Sequence, residues 1–132
     1  GDSKAKGMCV GPQNAEETEQ TYDTLDKQME DPYSIYNFVK QTISIRNAFP
    51  EIARGTNTFE KDLSNDNVCI FTREYNGEKA VLMFNPSKDE ASVDVSSLGV
   101  NDAVAMLQTT KKAPSYKDGT AKLPAYSVLV LK

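Results

Sequence analysis

Val68-Cys69-Ile70-Phe71-Thr72-Arg73-Glu74-Tyr75-Asn76-Gly77-Glu78-Lys79-Ala80-Val81-Leu82-Met83-Phe84 is the stretch that decides the architecture. Its flanks are rich in β-branched and aromatic side chains, and Asn76-Gly77 supplies a two-residue loop that tolerates positive φ. The stretch reads as an antiparallel hairpin with strands over 68–75 and 79–84. Residues 91–95, 103–108 and 126–131 read as further strands, with Gly, Pro, Asn and Asp clusters between them. Residues 57–61 carry a fainter strand pattern. Short strands at this spacing predict an antiparallel sandwich.

Upstream of the hairpin the hydrophobic period changes from 2 to 3.6. Asp31 can cap a first turn and Pro32 suits the first helical position, so a helix is expected over 31–50, stopped by Pro50. Around it the large apolar residues fall in the order Ile45, Phe38, Phe49, Ile35, Val39, Ile43, Tyr36. They sweep roughly 180°, wider than the ~100° stripe of a one-sided surface helix. Such a helix requires cover from two neighbours. The fold class is therefore mainly β with one long N-terminal helix, an antiparallel β-sandwich packed against that helix.

Composition narrows the function classes. A chain of 132 residues is one domain's worth of sequence. Its net charge of −4 is uneven, because residues 1–31 hold eight acids against three lysines. That acidic front excludes a nucleic-acid partner, which needs a basic face to displace phosphate counterions. No apolar run approaches the roughly 20 residues that cross a bilayer, so no membrane partner is expected. Lys4 and Lys6 precede no hydrophobic core, so no signal peptide is read there. Residues 1–24 offer only Met8, Val10 and Tyr22 as large apolar side chains, too few to offset ordering entropy unaided.

Histidine is absent, which removes Ser-His, Cys-His and His-based metal chemistry together. Neither a P-loop nor a Gly-rich dinucleotide turn is present, and no cofactor is expected. Asp62-Leu63-Ser64-Asn65-Asp66 places oxygens at alternate positions, like the start of a calcium loop. Asn67 and Arg73 stand where that loop wants Gly and an acid, so it reads as a polar turn without a metal. Cys69 reads as a buried thiol behaving as a small hydrophobe, with a bridge to Cys9 as the alternative.

Two side chains stand out. Arg46 projects into the middle of the helix's apolar arc. An unpaired buried charge there is costly, so Arg46 is expected in a structural ion pair, with ligand binding as the alternative. Tyr75, Tyr116 and Tyr126 can stack on sugar rings, but Trp, the usual platform, is absent. Tyr116, in Ala113-Pro114-Ser115-Tyr116-Lys117-Asp118-Gly119, is the best surface candidate for a sugar contact; a plain loop tyrosine is the competing reading.

Asp31-Pro32-Tyr33-Ser34-Ile35-Tyr36-Asn37, then Ile45-Arg46-Asn47-Ala48-Phe49-Pro50 and Arg54-Gly55, form an ordered series. Arg73-Glu74-Tyr75, Phe84-Asn85-Pro86-Ser87 and Leu123-Pro124-Ala125-Tyr126-Ser127 continue it. The series resembles the last barrel helix plus the C-terminal β domain of the α-amylase family, glycoside hydrolase family 13. Gly7-Met8 and Gly11-Pro12 resemble the loop after that family's final barrel strand. The resemblance implies three parts: 1–30 as an extended remnant of the barrel end, 31–50 as the last barrel helix, and 51–132 as the C-terminal antiparallel β domain.

No segment resembles the barrel strands that carry that family's catalytic carboxylates. Glycoside cleavage needs paired carboxyls held at a defined separation, and no catalytic residue is carried over. The implied role is a non-catalytic fragment supporting the missing barrel of a retaining enzyme acting on α-linked glucans. A module binding α-glucan through Tyr116 is the alternative. The implied partner is the catalytic barrel of the parent chain; without it, the uncovered side of the helix is expected to drive self-association or to capture the N-terminal segment. Polymeric substrates imply an extracellular or cell-surface parent.

Overall fold

The computed structural model describes residues 21–132. The hairpin forms as expected: β2 (Cys69–Tyr75) pairs antiparallel with β3 (Glu78–Asn85). Asn76 and Gly77 both take left-handed backbone, at φ 51° and 83°, the conformation of a tight hairpin turn. β1 (Thr56–Phe59) adds to the outer edge of β2, and β8 (Ser127–Leu131) pairs with β3. β5 (Ala103–Leu107) closes the other edge, giving a five-stranded sheet in the order β1-β2-β3-β8-β5.

A second sheet is made of β4 (Ala91–Asp94), β7 (Thr120–Leu123) and β6 (Ser115–Lys117). Every pairing is antiparallel. Period-2 alternation turns Ile70, Val81, Met83, Leu129 and Leu131 toward this second sheet, where Ala121 and Leu123 meet them. Val68, Val95 and Val100 complete a fully buried core. At ~25 cal/mol per Å² of apolar surface removed from water, this layer is what holds the fold.

β6 and β7 were not expected from the sequence. Their turn, Asp118-Gly119, repeats the geometry of Asn76-Gly77, with φ 48° and 80°. Asp-Gly between short extended segments was the signal that could have found them.

The long helix expected over 31–50 is not formed. Within that range only α2 (Ile35–Ala48) forms, preceded by a separate short helix α1 (Leu25–Glu30) and followed by another, α3 (Pro50–Arg54). Asp31 and Pro32 do not open α2. Asp31 instead closes a turn, its Oδ1 accepting the Tyr33 amide at 2.9 Å. Ser34 is the cap, its Oγ accepting the Asn37 amide at 3.3 Å. Asn37 Nδ2 reaches back to the carbonyls of Gln28, Met29 and Asp31 at 3.0, 3.2 and 2.8 Å, satisfying the end of α1. At the other end Phe49 is extended (φ −116°, ψ 99°), and Pro50 starts α3 rather than merely ending α2. The first part, expected to be extended, holds α1 in its described portion; Gly7-Met8 and Gly11-Pro12 lie outside the described residues.

Candidate functional site

The face of the five-stranded sheet turned away from the core meets the helices, and its chemistry changes along the strands. At one end it is ionic. Arg73 stands opposite Ala80 in the β2–β3 register, with Glu78 and Lys132 beside them at the strand ends. Arg73 donates from Nε to the Glu51 carbonyl at 3.3 Å and from a terminal nitrogen to the Ile52 carbonyl at 3.1 Å. Lys132 Nζ lies 2.5 Å from Glu51 Oε1 and 3.2 Å from Glu78 Oε2. α3 is thereby bound to two strands by two cations.

Glu51 is the most deeply placed charge described, its side chain 3% exposed. Burial pushes its carboxyl up, but the Lys132 ammonium and its own backbone amide outweigh that, holding it below the ordinary range. Lys132 is raised above its ordinary value by its contacts with Glu51 and Glu78.

Toward the other end the face is apolar. Phe59 stacks on Phe71 with centroids 5.3 Å apart, and Phe71 meets Phe84 edge-on at 6.1 Å. Phe71 and Phe84 are partly buried, and Phe59 remains half exposed. Between Phe84, Tyr126 and Val128 of the sheet layer and Tyr33, Ile35 and Phe38 of the helical layer lies an apolar groove of about 320 Å³.

The apolar arc of α2 divides in two. Ile45, Phe38 and Phe49 are partly buried, whereas Ile35, Val39 and Ile43 are exposed at 51%, 49% and 54%. Leu25 and Met29 of α1 are exposed as well, and Leu25, Ile35, Tyr36, Val39 and Ile43 line a second shallow groove. Contiguous apolar surface of this kind marks an interaction face.

The residues singled out from sequence do not converge. Arg46 is exposed among Ile35, Val39 and Ile43, and among the described residues it makes no ion pair. The buried pair is Glu51–Lys132, invisible to a helical wheel because its members lie at opposite ends of the β domain. Tyr116 lies half-buried on β6, its ring against the core and its hydroxyl donating to the Val100 carbonyl at 2.9 Å. That ring face is spent on packing. Cys69 carries a free, half-buried thiol on the helix side; Cys9 lies outside the described residues.

In the 62–66 segment, Asn65 Oδ1 accepts the amides of Asn67 and Val68, and Ser64 Oγ accepts that of Ile70. Those oxygens are turn-formers. Among the described residues no group of three or more His, Cys, Asp or Glu is placed to hold a metal. No described helix is long and apolar enough to cross a membrane.

A family model described as the maltogenic amylase C-terminal domain matches residues 62–130, from the turn before β2 into β8 and so all the strands but β1. The chain belongs to that family. It is a C-terminal β domain of the α-amylase family, and the order of its motifs is explained by that membership.

Among solved structures, Eubacterium rectale Amy13B is 97% identical over 100% of this chain, with a TM-score of 0.89. The trehalulose synthase MutB from Pseudomonas mesoacidophila MX-45 shares the fold at 23% identity over 81% of the chain, with a TM-score of 0.67. The chain spans 26% of the length of the first and 19% of the second. No curated protein matches. In these larger chains the α-amylase C-terminal domain is one part beside a catalytic barrel.

Proposed function

We propose that this domain is non-catalytic and supports the barrel of a retaining enzyme acting on α-linked glucans. The observation that carries this reading is the division of α2. One half of its arc lies toward the sheet; the other half, continued by Leu25 and Met29, is bare. The bare stripe seats against the barrel wall, and the α-amylase domain covers apolar surface that would otherwise face water. Arg46, in the middle of the stripe, pairs there with a carboxylate or backbone carbonyls of the barrel, because covering the stripe would bury its charge. A polymeric substrate places the parent outside the cell or on its surface.

The test uses the parent's catalytic part, produced without the portion corresponding to this chain. Added separately, this chain is expected to bind it and raise its melting temperature. Val39→Asp, which puts a charge in the stripe, abolishes both effects. A catalytic part of unchanged stability that does not bind the chain overturns the reading.

A further inference from the structure

The helical layer is held to the sheet unevenly. Among the described residues the fully buried hydrophobic core is drawn from residues 68–131, and the buried residues of α1, α2, α3 and their caps are Ser34 and Glu51. Ser34 serves the α1–α2 joint, donating to the Gln28 carbonyl at 2.5 Å. Glu51 alone is buried against the sheet.

Its two attachments come from different strands. Arg73 of β2 grips the Glu51 and Ile52 carbonyls, and Lys132, following β8, grips the Glu51 carboxylate. Glu78 at the start of β3 shares the Lys132 ammonium and is itself largely exposed. Lys132 is further fixed by its backbone, which exchanges hydrogen bonds with Asp102 and accepts from Asn101.

Nothing comparable holds α2. Among the described residues none of its side-chain hydrogen bonds or ion pairs reaches either sheet; Thr42 and Ser44 bond back to their own helix. At its first turn the groove separates it from Phe84 and Val128. Between α2 and α3 stands one non-helical residue, Phe49.

We propose that Glu51, Arg73 and Lys132 form a latch that fixes α3 to the sheet and sets the tilt of α2. When the latch opens, the helices leave the sheet as a unit pivoting near residues 49–55, while the sandwich stays folded. The value of that tilt, presenting the Ile35-Val39-Ile43 stripe at a fixed angle, rests on the barrel-support reading above. The latch itself does not.

The experiment is residue-resolved hydrogen exchange on the 132-residue chain and its Lys132→Met variant. Local openings of this type are read as exchange of one contiguous segment. In the unaltered chain, α2 and α3 amides are expected to be protected, but less than β2, β3 and β8. In Lys132→Met, helix amides exchange at least about tenfold faster while strand amides keep their rates. Should that variant fail to fold, Glu51→Gln combined with Lys132→Met removes both charges and gives the same contrast.

Unchanged helix protection, absence of helix protection in the unaltered chain, or equal loss from helices and strands each overturns the latch. Because no barrel is present in the measurement, its outcome is separate from that of the association test.

Discussion

Asn85 is joined to Leu123 across the sandwich by a bond from its Nδ2 to the Leu123 carbonyl at 3.0 Å. The same nitrogen donates to Pro124 at 3.0 Å and Asp89 at 2.8 Å, while Oδ1 accepts the Ser87 amide and hydroxyl. One buried amide thus fastens Phe84-Asn85-Pro86-Ser87 to Leu123-Pro124-Ala125-Tyr126-Ser127. Ser127 contributes from the other side, its hydroxyl donating to the Pro124 carbonyl at 2.7 Å. The second motif is the crossing from β7 in one sheet to β8 in the other, so Asn85 locks the point at which the chain changes layers.

Asn85→Ala leaves several of these groups without partners in a site that is 1% exposed. At about 1–3 kcal/mol for each buried group left unsatisfied, a loss of roughly 3 kcal/mol is expected, read as a lower urea midpoint. Asn85→Asp should be worse, since an ionised carboxylate would face the Leu123 and Pro124 carbonyl oxygens with no proton to donate. Equal stabilities for the two variants would contradict this account.

Gly55 and Gly77 predict opposite origins for similar losses. A Cβ at Gly55 would lie 2.4 Å from the Glu51 carbonyl oxygen and 2.8 Å from that of Glu74, both backbone atoms. Gly55→Ala must push α3 off β2, at a cost of about 1–3 kcal/mol, and should disturb the chemical shifts of Arg73. Gly77→Ala meets nothing within 4 Å but is asked to hold φ +83°. Its cost of about 1 kcal/mol is conformational and should leave shifts unchanged outside the turn.

The Glu51–Lys132 pair has a signed pH dependence. Glu51 is held below its ordinary 4.5, so its contribution is complete above that value and lost as pH falls through the lower, folded one. Lys132 is held above its ordinary 10.5, so its contribution is complete below that value and lost as pH rises through the folded one. Stability supplied by the pair is therefore flat across neutral pH and falls away at both extremes.

Glu90 and Asp94, both exposed, are also held low, by Lys112 and Ser96 respectively, and add to the acid limb. Glu51→Gln isolates one part of it. The difference in urea midpoint between the two proteins should be largest near neutral pH and shrink in acid. A difference constant from neutral pH down into acid would show that folding does not shift the Glu51 carboxyl, and one that grows in acid would show that it is raised rather than lowered.

Tyr116→Phe should lower stability by about 0.5–1.5 kcal/mol through loss of the bond to Val100. Titration of the chain with maltoheptaose should give no saturable heat at millimolar ligand, because the ring that would stack on sugar is packed against the core. Saturable binding abolished by Tyr116→Ala would restore the sugar-binding alternative.

Local chemistry made the hairpin legible: Asn76-Gly77 needs only its own φ angles and alternating flanks. Asp118-Gly119 carried the same information, but β6 and β7 are three and four residues long, too short for alternation to register. The helical region misled for a related reason. Asp31-Pro32 is a good local start, yet Asn37 and Ser34 satisfy the end of α1, and that contact moves the start to Ile35. The wheel correctly gave α2 two faces but placed Arg46 at the sheet junction, whereas the sheet takes Ile45 and Phe38 and leaves Arg46 outside. The Glu51–Lys132 pair depends wholly on tertiary pairing, so neither partner announces it.

The bare stripe of α2 makes a prediction for the chain by itself. Ile35, Val39 and Ile43, with Leu25 and Met29 beside them, expose large apolar side chains in one band. Each would gain about 25 cal/mol for every Å² removed from water, and without a barrel a second copy of the same stripe is the available cover. Sedimentation velocity should therefore show a mass that rises with concentration. Ile43→Lys should return the chain to monomer while changing its urea midpoint little, since exposed positions contribute within about 0.5 kcal/mol. Lys61→Ala, in the exposed turn before β2 and outside the groove that this band lines, should leave association intact. A chain that stays monomeric at all concentrations would mean the stripe is too weakly apolar to associate, and would count equally against its role in seating the barrel.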